Sequence, residues 1–441
     1  MTSMLELDDI QSGVLRPRPS PYAATYILLR IDDATAGRAL MGRLAKVVSS
    51  AANPESPLSD TWVSASLTYE GLRALGVPQE YLDTFAWEFR QGMAARATAL
   101  GDVGESSPEH WESPLGTREV HVVLTALSPS QAALDAAIDR ARATYHGLHG
   151  IEAIWRQDCH TLSTGREPFG FKDGIGQPAI EGSGIPSRNS HEPPLKPGEF
   201  VLGYPDETGN LPPMPGPEIL GRNGTYVAFR KLHQRVAAFR RYLQESSTSP
   251  DDLELLAAKM MGRWRSGAPL ALCPFHDDRE LGADPLRNND FGFADDATGY
   301  NTPPGCHVRR ANPRDASVAG VVRLHRMLRR GTAYGPELPE GVLDDDGQDR
   351  GLMFAFVGAH LGRQFEFVQS EWLNGGTFLD LGDAKDPITG AQDDGGGTFS
   401  IPKRPIPKRL RGLPSFVVTR GGEYAFMPGI RALRWLSELR T

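Results

Sequence analysis

Strand-like and helix-like segments follow one fixed order through the first third of the chain, and that order constrains the fold most. Residues 24–32 (ATYILLRID) are an apolar, β-rich run and are expected to form a strand. Leu40, Leu44, Val47 and Val48 recur at helical spacing within 34–50. Residues 62–68 alternate as a strand, 69–76 and 78–93 read as helices, and 120–126 is a further apolar strand. An alanine-rich helix is expected over 130–145, with Ser130 as its N-cap, and a closing strand over 151–157. With the helices at 69–93 set aside as insertions, this is β-α-β-β-α-β, the ferredoxin-like unit.

The second half repeats the order less clearly. Strands are expected at 225–231, 351–358, 415–419 and 424–427, and helices at 232–243 and 362–374. Long Pro/Gly-rich stretches, 182–221 and 380–413, lie between them. When ordered, loops of that length usually carry function or wrap a partner subunit. The fold expected is α+β with two ferredoxin-like lobes, 1–165 and 166–441, the second bearing the large loops.

Composition excludes several classes. Of the 441 residues, 39% are hydrophobic and 23% charged, a folded balance, and the net charge of −8 carries no nucleic-acid footprint. The basic stretch Lys403, Arg404, Lys408, Arg409 and Arg411 is spaced by prolines and reads as a solvated surface, or one facing cofactor carboxylates or a dimer partner, rather than a nucleic-acid site. The acidic start MTSMLELDDI lacks the features of a secretory signal, and no run approaches the ~18 apolar residues of a membrane helix. Cysteines 159, 273 and 306 are too scattered for a disulfide framework and suit a reducing compartment, so a cytoplasmic location is expected.

Three segments carry chemistry. In Gly170-Phe-Lys-Asp-Gly174, two glycines bracket a tight turn that presents Asp173 from a stiff loop. In Gly305-Cys-His-Val-Arg-Arg-Ala-Asn-Pro-Arg314, the imidazole of His307 suits haem iron, and Arg309, Arg310 and Arg314 suit its two propionates. Cys306 lacks a thiolate-ligand signature and reads as a small core residue. The third segment, Leu328-Arg-Arg-Gly-Thr-Ala-Tyr-Gly-Pro336, feeds an arginine pair into a Gly/Pro turn. The apolar run Arg350-Gly-Leu-Met-Phe-Ala-Phe356 follows and suits a dry wall. Taken singly, each has an ordinary reading: an Asp-Gly turn, a histidine in a basic loop, a solvated arginine pair. The remaining histidines, among them His233, His276, His325 and His360, show no tight metal-ligand spacing.

Their order is more specific. GxxDG, then H-V-R-R-A-N-P-R, then R-x-G-x-x-Y-G-P, then R-G-L-x-F, with R-N-G-T-Y-x-x-F-R at 222–230 and G-R-W at 262–264, resembles the dye-decolorizing peroxidase family throughout the second half. The first third resembles it in element order only, and the length and long loops look most like its larger bacterial members. The resemblance implies two ferredoxin-like lobes of the dimeric α/β-barrel type, with one haem b per chain held mainly by the C-terminal lobe. It makes His307 the iron ligand, Asp173 the distal acid, Leu352 and Phe354 apolar distal residues, and Asp386 the carboxylate behind the proximal histidine. The family's distal arginine stands two residues before the turn glycine, which selects Arg329 over Arg330.

The implied activity is H2O2 reduction coupled to one-electron oxidation of dyes, phenols or Mn2+, in a chain expected to form a homodimer. Peroxide must lose a proton from one oxygen and regain it on the other, which calls for a group that accepts and then donates. An aspartate in that role favours acid turnover, its free pKa being ~3.9 against ~6.5 for histidine. The alternative is a non-catalytic haem-binding or haem-handling protein of the same fold, which needs His307 but no proton shuttle. Bulky donors are expected to react at the surface, with Tyr334 in its Gly/Pro turn and Trp372 on the 362–374 helix as radical sites.

Overall fold

A computed structural model describes residues 4–52, 61–318, 320–376, 378–392 and 395–440. In the first lobe β1 (Ala23–Ile31), β2 (Trp62–Leu67), β3 (Val122–Ser128) and β4 (Ile151–His160) pair antiparallel in the order β4-β1-β3-β2. That order results when two crossover helices of a β-α-β-β-α-β chain cover one face. Helix α1 (Ala34–Leu44) starts where the Asp33 carboxylate accepts the Ala36 N–H at 2.7 Å, and α2 (Gln131–Tyr145) where Ser130 caps Ala133. Their buried faces, Leu40, Met41 and Leu44 on α1 and Leu134, Ala137 and Ile138 on α2, pack on Ile27, Leu29, Val63 and Leu124. The opposite sheet face buries Ala24, Tyr26, Leu28, Trp62 and Leu127. Burial on both faces explains why β1 reads as a continuous apolar run rather than an alternation.

The second lobe repeats the plan. Strands β5 (Thr225–Gln234), β6 (Leu328–Arg329), β7 (Thr332–Tyr334) and β8 (Gly351–Gly358), then the separate hairpin of β9 (Gly397–Ile401) and β10 (Lys408–Leu413), lead to β11 (Val417–Met427). The main strands order as β11-β5-β8-β6, with β7 also on β8. Taking β6 and β7 as one interrupted edge strand, this is the first lobe's order again. Leu67 of β2 pairs with Phe426 of β11, joining both lobes in a nine-stranded sheet. At the far side β4 lies against β7, so the sheet curls around Tyr26, Val227, Phe229, Tyr334 and Met353. Helices α3 (Val236–Glu245), α4 (Pro250–Met261) and α5 (His307–Ala311) belong to the second lobe, and α6 (Ile430–Ser437) packs back on α1.

Some expected elements take a different form. The helix at 78–93 is split into Gln79–Leu82 and Trp87–Gln91, and the two strands at 415–427 are one strand with a bulge between Thr419 and Gly421. Val47 and Val48 fall beyond α1, in a turn after Leu44. The 362–374 helix is two wide turns, Leu361–Glu366 and Val368–Leu373. No helix among the described residues is long and apolar enough to cross a membrane.

Candidate active site

His307 opens α5, and Cys306 before it is fully buried. Burial pushes the Cys306 thiol up to about 12, and the sulfur packs as a buried side-chain atom. Gly262, which ends α4 with φ of 98°, admits that sulfur: a Cβ there would lie 2.9 Å from it. His307 Nδ1 lies 3.0 Å from Asp386 Oδ2. The other Asp386 oxygen accepts the Ile388 N–H at 2.9 Å and the Thr389 N–H at 2.7 Å. Burial alone would raise the Asp386 pKa, but His307 and these donors outweigh it and hold the carboxyl below its usual value. With Nδ1 engaged, Nε2 is the ring nitrogen left for a metal.

The arginines after His307 separate by helix geometry. Two residues along an α-helix is ~200° of rotation, so Arg309 turns away from His307. Its Nη1 donates to the Asp296 and Thr302 carbonyls at 2.9 and 2.8 Å, and its guanidinium sits 4.7 Å over the Phe293 ring. In this structure the Arg309 side chain ties the loop at 293–302 to α5. Arg310 likewise binds the Trp372 carbonyl, at 2.6 Å, and that of Ala384, steadying the loop that carries Asp386.

Arg314, seven residues on, is different. It donates to the carbonyls of Asn289 and Phe291 at 3.1 and 2.8 Å and to Asn289 Oδ1 at 2.6 Å, while its buried Nε has no partner. Arg263 also donates to Asn289 Oδ1, at 3.0 Å. Burial, then the cations Arg263 and Arg326, push Arg314 well below the usual arginine range. Arg326 is answered by Glu192 at 2.9 Å. Among the described residues Arg263, Arg314 and Arg329 have no carboxylate within ion-pair distance. A buried cationic cluster of this kind is costly until an anion joins it. A planar iron ligand with two carboxylates fits this donor set: an imidazole backed by a carboxylate, and guanidinium groups that lack a counter-charge.

The other side of the site is built from the GxxDG loop and the β6 edge. Gly170 and Gly174 take φ of 94° and 84°, the left-handed turns that present Asp173. Arg329 faces Phe356 across the β6–β8 pair, so it shares the sheet face of Leu352, Phe354 and Phe356. Leu352 and Phe354 are half-buried there, whereas Met353 and Ala355 on the reverse face are buried. Arg330 belongs to that reverse face. Its N–H bonds the Ala355 carbonyl at 2.8 Å, and its Nη2 reaches the Val14 carbonyl at 2.9 Å. Strand alternation therefore separates the two arginines. Arg329 is tied to the Asp173 loop by its Nη2 on the Ile175 carbonyl and its N–H on Gln177 Oε1, both 3.0 Å.

Asn289 links the two sides. Its side chain receives Arg263 and Arg314 and lies beside Gly176, where a Cβ would be 3.5 Å from Asn289 Oδ1 and 3.7 Å from Arg329 Nη2. The structure thus brings Asp173 near Arg329, and Asp386 onto His307. Gln177 and Asn289 join the site without having been singled out in the sequence; Gln177 at least stands inside the GxxDGIGQP stretch.

Tyr334 and Trp372 are corrected. Tyr334 is 1% exposed: its hydroxyl donates to Asp349 Oδ1 at 3.1 Å, and Lys231 Nζ lies 4.9 Å over the ring. The chain after Pro336 folds back, Arg350 holding the Pro336 carbonyl at 2.9 Å, which turns the Gly/Pro segment inward. Trp372 is 4% exposed, packed on Phe367 and Phe378 with His325 against it. Neither ring offers a surface to a bulky donor in the single chain.

Residues 9–156 match the profile described as the DyP dimeric alpha+beta barrel domain. Two solved structures align over nearly all of the chain. An ancestral D-type dye-decolorizing peroxidase superposes with a TM-score of 0.85 at 30% identity, covering 98% of this chain and 99% of its own. A dye-decolorizing peroxidase in complex with 2,6-dimethoxyphenol gives 0.84 at 29% identity, covering 98% and 100%. Together with the site, these define a peroxidase of the two-lobed barrel class. A dye-decolorizing peroxidase of Exidia glandulosa is 31% identical over 457 residues, covering 98% of this chain and 87% of that relative. The chain belongs to the dye-decolorizing peroxidase family.

Proposed function

We propose that this peroxidase carries one haem b per chain, with His307 on the iron, Asp173 moving the peroxide proton and Arg329 facing the O–O bond. The observation that carries this reading is the part-buried His307–Asp386 pair, in a chain whose Arg263 and Arg314 are buried with no carboxylate within ion-pair distance among the described residues. Haem, when bound, would supply a redox-active iron for the reaction with peroxide. Asp386 holds the imidazole in one orientation and, by accepting a hydrogen bond from Nδ1–H, makes Nε2 a stronger donor. Arg263 and Arg314 would hold the propionates. Asp173 accepts the proton of the incoming peroxide and returns it to the departing oxygen. Arg329, held in place by the Ile175 carbonyl, meets the negative charge on that oxygen with no reorganisation. Leu352 and Phe354, half-buried on the sheet face of Arg329, would keep bulk water from the reacting atoms.

H2O2 is the oxidant in this reading, and phenols and dyes are the donors, by the family's name and the dimethoxyphenol held by the relative. Mn2+ stays a candidate donor. We place the lobe boundary at 165/166, after β4, and take the protein as a cytoplasmic homodimer without nucleic-acid or membrane partners. The test is an absorption spectrum before and after one equivalent of H2O2. A Soret band that shifts with peroxide and returns stepwise with a phenol is expected; a purified, haem-supplied protein without a Soret band would refute the reading.

A further inference from the structure

The carboxylate of Asp173 is held by a residue from the other lobe. Arg18 lies in the segment between a short helical turn at Ser12–Leu15 and β1. Its Nη1 is 3.2 Å from Asp173 Oδ2 and also donates to the Gly331 carbonyl, on the turn that follows Arg329 and Arg330. Its guanidinium stacks 4.2 Å over the Tyr22 ring, and the Tyr22 hydroxyl accepts the Ala333 N–H at 2.7 Å. The Arg18 side chain is 13% exposed, so few rotamers are open to it. On the facing side, a Cβ at Gly174 would lie 3.1 Å from Arg18 Nη2, at a backbone φ of 84°. The second glycine of GxxDG thus serves twice: it makes the turn, and it clears the path of the guanidinium. Arg329 feels the Asp173 charge, yet the ion pair that Asp173 makes is with Arg18.

We propose that Arg18 is a positioning residue for the distal acid. It holds one Asp173 oxygen, leaves the other free to take a proton, and keeps the carboxylate from collapsing onto Arg329. The inference rests on the peroxidase reading above. A collapsed Asp173–Arg329 pair would remove the proton acceptor and the charge stabiliser together, because each would satisfy the other. The contact is an ion pair between a nearly buried guanidinium and a carboxylate 43% exposed, and misplacing a catalytic group by about 1 Å costs on the order of a hundredfold.

The test measures four holoenzymes by stopped flow: wild type, Arg18→Ala, Asp173→Asn and the double variant. Arg18→Lys is the fifth protein and keeps the charge. Two reactions are followed: the bimolecular reaction with H2O2, and cyanide association, in which HCN must also give up a proton. Arg18→Ala is expected to retain its haem and to slow both reactions roughly tenfold or more. Arg18→Lys should recover much of the loss, and adding Arg18→Ala to Asp173→Asn should cost little further. Normal rates in Arg18→Ala alongside a slow Asp173→Asn would overturn the clamp alone, whereas a normal rate in Asp173→Asn would overturn the role of Asp173 itself. Loss of haem in Arg18→Ala and Arg18→Lys alike, or an equal slowing by Arg18→Ala in both backgrounds, would also overturn the proposal.

Discussion

Replacing Arg329 with leucine should slow the reaction with H2O2 by roughly a hundredfold or more while haem stays bound. The guanidinium is pinned by the Ile175 carbonyl at 3.0 Å and lies on the sheet face of Leu352 and Phe354. It therefore acts as a preorganised donor, and losing one such donor typically raises the barrier by ~2.7–4 kcal/mol. Arg330→Leu is the internal control. Its guanidinium points to the reverse face and binds the Val14 carbonyl, so the loss there is a buried hydrogen bond, about 1–3 kcal/mol of stability. Burial, then Arg18 and Arg329, bring Arg330 down to about 10, so the neutral leucine also removes a buried charge and partly offsets that cost. Stopped-flow mixing with peroxide at several concentrations gives the bimolecular rate constant, and the Soret absorbance of the resting protein gives haem content. A normal rate in Arg329→Leu with a slow one in Arg330→Leu would refute the face assignment. Loss of haem in Arg329→Leu would show that it acts as a propionate holder instead.

Other outcomes follow from the same geometry. His307→Ala should lose most of its haem, and full occupancy with an unchanged Soret band would refute its ligand role. Asp386→Asn should keep haem yet raise the iron reduction potential, since a neutral amide makes the imidazole a weaker donor; an unchanged potential would count against Asp386 as its partner. Arg314→Met should weaken haem binding in a titration of the apoprotein, whereas Arg309→Met should lower thermal stability and leave haem affinity alone; the reverse pattern would restore Arg309 to the propionates. The Asp349 carboxyl would be raised by its burial, but hydrogen bonds from His233 and Lys231 and the Lys231 charge hold it well below the usual range. A lowered folded pKa means stability that is present above the ordinary ~3.9 and lost as pH falls through the folded value. Asp349→Asn should therefore cost about 1 kcal/mol at neutral pH, the carboxylate being half exposed, and the gap should narrow below about pH 3. An equal gap at both pH values, read by chemical denaturation, would refute this.

What the sequence by itself determined is local. Hydrophobic period and caps placed β1, β3, α2 and the start of α1 within a few residues, because each pattern reports only how a segment meets a core. Motif spacing brought Asp173, His307 and Arg329 to attention because tight turns and short helices need particular residues at short range. Asp386 was legible through the family resemblance, not through any contact predictable across 79 positions. The tertiary structure decided which element covers which face. Arg309 and Arg314 look interchangeable in the sequence, but ~100° of helical rotation per residue turns the first away, and only the second lies past the helix end. Tyr334 sits in a turn that should reach the surface, yet the loop held by Arg350 folds over it. Arg18 stands 155 positions before Asp173 with nothing nearby in the chain to mark it. A contact of that range depends on how the first lobe's entry segment docks onto β6 and the GxxDG loop, and neither surface exists until both lobes have folded.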